Sequence, residues 1–218
     1  KETLVRPYML FNEKLFRFEI YRTCEGNYLF LDLHHIVADG TSLAIIMNDI
    51  NRAYSGEKLE PETYTSYDLA LDNRDALAGD IYKNAEGYYR SVFENAGGSI
   101  SFYPDKSGAV PTAELYRRES AEISVQGVKE FCKKHGITEN VFFISAFGIT
   151  LGKYNFKKDA VFTTIYHGRN DSRLSETVGM LVKTLPVYCN FAGSTEQCLT
   201  EVQKQLINSM NNDIYPFS

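Results

Sequence analysis

The chain has 218 residues, 44% hydrophobic and 23% charged, with a formal net charge of -5 at pH 7. That length holds one large or two small domains with a buried core, and the apolar content excludes a disordered polypeptide. The acidic balance, without a long basic run, argues against nucleic acid as a partner, and no apolar run reaches the roughly 18 residues of a membrane span.

Residues 15–21 and 27–34 are β-rich and flank the turn-forming Cys24-Glu25-Gly26-Asn27, so they predict an antiparallel hairpin. Leu43, Ile46, Met47, Ile50 and Tyr54 then recur at helical spacing, with Thr41 and Ser42 placed to cap the helix and Ser55-Gly56 to stop it. A second helical region covers residues 67–95, interrupted around Gly79 and Gly87, and its Tyr82, Tyr88, Tyr89 and Phe93 read as packing residues. Residues 97–113, punctuated by Gly97-Gly98, Pro104, Gly108 and Pro111, read as an extended connection. They divide the chain into a first part, 1–96, and a second, 114–218. The second part predicts a strand at 116–123, helices at 125–135 and 139–154, strands at 160–167 and 181–191, and a helix at 195–210. Ser194 and Gln197 form a capping box for that last helix. Such an order implies an α/β fold with a mixed sheet covered by helices.

The residues that carry chemistry cluster where the hairpin ends, in His34-His35-Ile36-Val37-Ala38-Asp39-Gly40. A neutral imidazole suits proton movement near neutral pH, and a strand end aims it better than a mobile loop does. Successive strand residues point to opposite faces, so one histidine should look into a site and the other into the protein body. Asp39 is expected to pair with an arginine, from Arg6, Arg17 or Arg169 or from upstream, because an unpaired buried carboxylate is costly. Gly40 permits either a conformation or a close approach that a side chain would block. Arg169, in His167-Gly168-Arg169, either meets an acidic partner across the two parts or is a solvated loop residue. Cys24, Cys132, Cys189 and Cys198 show neither a C-x-x-C pair nor histidines at zinc spacing, and read as reduced thiols of a cytoplasmic protein without a metal site. No serine lies in a G-x-S-x-G context and no glycine spacing cradles phosphate, so neither a serine hydrolase nor a nucleotide-binding loop has support.

HHIVADG resembles the HHxxxDG signature of nonribosomal peptide synthetase condensation domains, members of the chloramphenicol acetyltransferase-like superfamily. Two further stretches agree in order: Tyr64-Thr65-Ser66-Tyr67-Asp68-Leu69-Ala70, and Val178-Gly179-Met180-Leu181-Val182-Lys183-Thr184-Leu185-Pro186. The similarity runs from about residue 15 to 191, and His167-Gly168-Arg169 falls where the family carries a similar Gly-Arg. The chain departs from the pattern at Thr41, where an aromatic or aliphatic residue is usual, and at Lys183, where the family has Asn. Both are candidates for the substrate channel, and Arg169 for a contact between lobes.

The resemblance implies a two-lobe α/β acyltransferase architecture of which this chain is a truncated portion, with the second lobe closing a channel over the histidine motif. It implies amide bond formation between acyl groups held as thioesters on the phosphopantetheine of carrier domains, with no cofactor bound directly and an adjoining adenylation domain as neighbour. His35 is then the catalytic residue, His34 and Asp39 hold the loop, and Gly40 leaves the channel open. The isolated chain is expected to self-associate and to be inactive alone. A stand-alone acyltransferase using coenzyme A thioesters, and a noncatalytic docking module, are the alternative classes.

Overall fold

The alternation of apolar and polar residues along Phe16–Arg22 (β1) and Asn27–Leu33 (β2) produces the expected antiparallel hairpin, in register from Phe16 opposite Leu33 to Arg22 opposite Asn27. One face carries Phe16, Phe18 and Ile20 across from Leu33, Leu31 and Leu29. The other carries Arg17 across from Asp32, paired at 2.9 Å. The computed structural model describes residues 4–98, 100–102 and 123–215.

Helix α1 runs from Gly40 to Tyr54. Its N-cap is Asp39, which has extended backbone and whose carboxylate accepts the Ser42 N–H while its carbonyl accepts the Leu43 N–H; Thr41 and Ser42, expected as caps, lie inside the first turn. Asp39 takes the cap because its backbone is extended and its carboxylate reaches the N–H three residues on. Helix α2, Ser66–Leu77, opens on a reciprocal Thr65–Asp68 capping box. Gly79 breaks the helical region as expected, but Gly87 does not: α3 runs unbroken from Asp80 to Phe93, since one exposed glycine costs a helix only about 1 kcal/mol.

Helix α4, Val125–His135, is capped by Ser124 and closed by Gly136 in the left-handed region at φ 63°. Helix α5, Glu139–Tyr154, packs on the strand pair β3, Asp159–Tyr166, and β4, Lys183–Asn190. Helix α6, Thr195–Asn211, starts at the expected Ser194–Gln197 box. Val141, Ile144, Val187, Cys189, Cys198, Val202 and Leu206 from these elements form a buried core. The cysteines are free thiols, with Cys189 and Cys198 Sγ atoms 3.3 Å apart. Among the described residues the strands make two two-stranded sheets rather than one mixed sheet. The expected strand at 116–123 lies outside the described residues except for Ile123.

The chain divides into two compact units, Lys1–Ala78 with His167–Lys183, and Gly79–Tyr166 with Thr184–Ser218. This differs from the expected parts 1–96 and 114–218 in two places. Helix α3 belongs with α6, because the Tyr88 hydroxyl donates to the Gln205 carbonyl at 3.1 Å and the Tyr89 hydroxyl to the Ser209 carbonyl at 3.2 Å. Residues 167–183 return to the first unit, where the polar groups of the histidine loop hold them. Most of the expected connection, 97–113, lies outside the described residues. Among those described, no helix is long and apolar enough to cross a membrane.

Candidate active site

Strand β2 ends at Leu33, and the next residues turn at once into α1, so the histidine loop is short and closed by its own backbone. The His34 N–H donates to the Leu15 carbonyl at 3.0 Å, and the Val37 N–H to the His34 carbonyl at 3.0 Å. The His34 imidazole accepts the Ile36 N–H through Nδ1 at 3.1 Å and meets the Tyr8 ring edge-on, centroids 5.7 Å apart. Tyr8 in turn lies under the Arg17 guanidinium and donates its hydroxyl to the Asp32 carbonyl. His34 is therefore half-buried and packed against Tyr8. His35 is exposed and lines a cavity of about 350 Å³ with Leu31, Asp32, Leu33, Ala38, Asp39, Gly40 and Leu43. The two histidines thus take opposite surroundings, but the turn that follows Leu33 separates them rather than strand alternation, since the strand stops before both.

Asp39 is the anchor. Its side chain is fully buried and accepts five hydrogen bonds: from Arg169 Nη1 at 2.8 Å and Nη2 at 3.0 Å, from Ser42 N at 2.8 Å and Oγ at 2.9 Å, and from Leu181 N at 3.1 Å. Burial alone would push the carboxyl pKa up, but the Arg169 guanidinium, the two Ser42 groups and the Leu181 N–H outweigh it and hold the group well below the usual carboxylate range. Of the three arginines considered for Asp39, Arg169 is the partner, and Arg17 pairs with Asp32 instead. The pairing joins residues 130 apart in sequence, both within the first compact unit.

The segment that delivers Arg169 is itself closely fitted. Gly168 has φ 71°, and a Cβ there would lie 1.8 Å from the Leu181 carbonyl oxygen, so only glycine fits. The His167 imidazole accepts the Arg169 N–H at 3.0 Å, which shapes this turn. Arg169 Nη2 also reaches the Ser42 hydroxyl at 3.2 Å and the Thr177 carbonyl at 3.3 Å. Thr177 and Ser42 are both fully buried.

The cavity thus brings together His35, Asp39 and Gly40 of the sequence-predicted residues. Thr41 is exposed in the first turn of α1, and Lys183 is half-buried at the start of β4; neither is part of the cavity wall. Sequence reasoning missed Ser42, Gly179 and Leu181 as parts of the anchor. The one signal that points to Ser42 is Asp-Gly-Thr-Ser, which reads as an N-cap followed three residues later by the donor it caps. Among the described residues no three His, Cys, Asp or Glu are placed to hold a metal ion.

The chain belongs to the condensation domain family, whose model, Condensation domain, matches residues 1–218. It is 28% identical over 221 residues to bacitracin synthase 2 of Bacillus licheniformis, covering 98% of this chain and 8% of that protein. Among solved structures it is similar to the first condensation domain of the calcium-dependent antibiotic synthetase, with TM-score 0.68 and 18% identity, covering 93% of this chain and 47% of that one. It is also similar to the X-domain from teicoplanin biosynthesis, in complex with OxyB, with TM-score 0.77 and 18% identity, covering 97% and 50%. The chain therefore spans about half the length of the solved chains it matches, which share its α/β fold.

Proposed function

We propose that this chain carries the histidine-bearing part of a peptide-bond-forming condensation domain in a nonribosomal peptide synthetase. The supporting observation is His35, open on a cavity, in a loop whose far end is fixed by a buried carboxylate with five donors. In this reading two substrates arrive as thioesters on the phosphopantetheine arms of carrier domains. The acceptor amine nitrogen attacks the donor carbonyl carbon, the C–N bond forms, and the C–S bond breaks. The amine proton leaves by way of His35 and the thiolate of the donor arm takes it up. Tethering both reactants removes much of the entropic barrier, which leaves the imidazole only orientation and one proton to manage. His34 supports the loop from behind, and Gly40 keeps the cavity mouth clear of a side chain. Thr41 and Lys183, where the family pattern has other residue types, are candidates for shaping acceptor choice. Carrier domains and an adjoining adenylation domain are the partners in this reading, in the cytoplasm.

In the intact parent protein, supplied with carrier-bound donor and acceptor, His35→Ala is expected to lower single-turnover product formation by roughly 100-fold or more while the fold is retained. Equal turnover by wild type and variant would overturn the catalytic role.

A further inference from the structure

The His35 imidazole makes no side-chain hydrogen bond among the described residues, so its aim is inherited from the backbone that carries it. That backbone is fixed on the His34 side by the hairpin and on the other side by Asp39. Asp39 is in turn held by a residue outside the histidine motif. Ser42 gives it two of its five hydrogen bonds, the N–H at 2.8 Å and the hydroxyl at 2.9 Å.

The same hydroxyl reaches across to residues 137 positions away. Its oxygen accepts the Gly179 N–H at 3.0 Å and an Arg169 Nη2 proton at 3.2 Å, and its own proton has the Gly179 carbonyl at 2.8 Å and Asp39 Oδ1 as acceptors. A hydroxyl has one proton and two lone pairs, so this site uses its whole capacity. Gly179 is buried, and a Cβ on it would lie 2.6 Å from Leu181 Cδ1, so a larger residue there would have to displace the Leu181 side chain. Ser42 thus fastens the start of α1 to the 177–181 segment while completing the Asp39 anchor.

We propose that Ser42 is a positioning residue for His35, acting through Asp39 to set the loop from which the imidazole reaches substrate. This rests on the catalytic reading of His35, and the experiment separates the two. Single-turnover rates are measured in the intact parent protein for wild type, His35→Ala, Ser42→Ala and the double variant, with melting temperatures recorded for each. A misplacement of about 1 Å costs a catalytic group up to roughly 100-fold, so Ser42→Ala is expected to lose about 10- to 100-fold while melting above the assay temperature. In the His35→Ala background the Ser42 change should cost less than about twofold, because there is no imidazole left to misplace. Ser42→Cys keeps the side-chain shape, with a slightly larger atom, and weakens the hydrogen bonds, and should fall close to Ser42→Ala. A full rate in Ser42→Ala or Ser42→Cys would overturn the proposal, as would losses that simply multiply in the double variant. If neither Ser42 variant folds, the residue serves folding and the proposal is wrong. If His35→Ala alone keeps its rate, the catalytic reading has failed, and that arm shows it without reference to Ser42.

Discussion

Taking an ionised carboxylate out of water costs several kcal/mol unless its lone pairs are met, and Asp39 has them met by a bidentate arginine, a hydroxyl and two backbone N–H groups. Removing the charge should therefore hurt more than a surface substitution. Asp39→Asn is expected to destabilise the fold by about 3 kcal/mol or more at pH 7, because it leaves Arg169 buried without its counter-charge. The pH dependence has a fixed sign. A carboxyl held below its ordinary value adds stability that is complete above the unfolded pKa of about 3.9, and that stability is lost as pH falls toward the folded value. Urea unfolding of both proteins should show a gap that is constant above about pH 5 and narrows toward pH 3. A gap that widens as pH falls would show that the carboxyl is not held low. The histidines and Asp39 were legible in the sequence because they lie within seven residues at the end of an apolar strand. Ser42 was not, since its partners Gly179 and Arg169 lie 137 and 127 positions away and nothing local marks a hydroxyl as a hub.

Helix α5 shows the opposite balance, in which what is missing from a side chain matters most. A Cβ on Gly148 would lie 2.7 Å from Cys189 Cβ and 2.9 Å from a Phe162 ring carbon, and one on Gly152 would lie 2.4 Å from the Phe191 ring. These glycines let the helix approach β3 and β4 closely, at the expense of helix propensity. Gly87 in α3 is also helical but has nothing within 4 Å of its added Cβ. The same substitution should therefore have opposite signs. Gly87→Ala is expected to stabilise by up to about 1 kcal/mol, and Gly148→Ala to destabilise by about 1–3 kcal/mol through overpacking. Chemical denaturation of both variants tests this, and a stabilising Gly148→Ala would refute the close packing. Helices α4 and α5 were legible to the residue, and Ser124, Thr138 and Gly136 end them chemically. Gly87 was misread as a break because a glycine in open solvent and a glycine in a tight contact look alike in one dimension.

For the whole molecule, the surface of the hairpin stands out. Ile20 is 72% exposed, and Phe16, Phe18 and Leu29 on the same face are each more than 40% exposed. A two-stranded sheet whose apolar face is left uncovered among the described residues invites pairing with another chain. The purified 218-residue chain is expected to sediment as more than a monomer, and Ile20→Lys to shift it toward monomer with no loss of melting temperature. Identical sedimentation of both at matched concentration would rule that face out. The return of residues 167–183 to the first unit has a consequence for how the protein is made. A ribosome releases the chain from its N-terminus, and domains commonly begin to fold while it does so. The hairpin and α1 leave the ribosome long before Arg169, Gly179 and Leu181 have been translated, so Asp39 waits through about 130 residues of synthesis as a hydrated anion. The histidine loop is therefore among the last parts of the first unit to be locked, and a nascent chain arrested before residue 167 would carry the whole motif with its anchor still unmade.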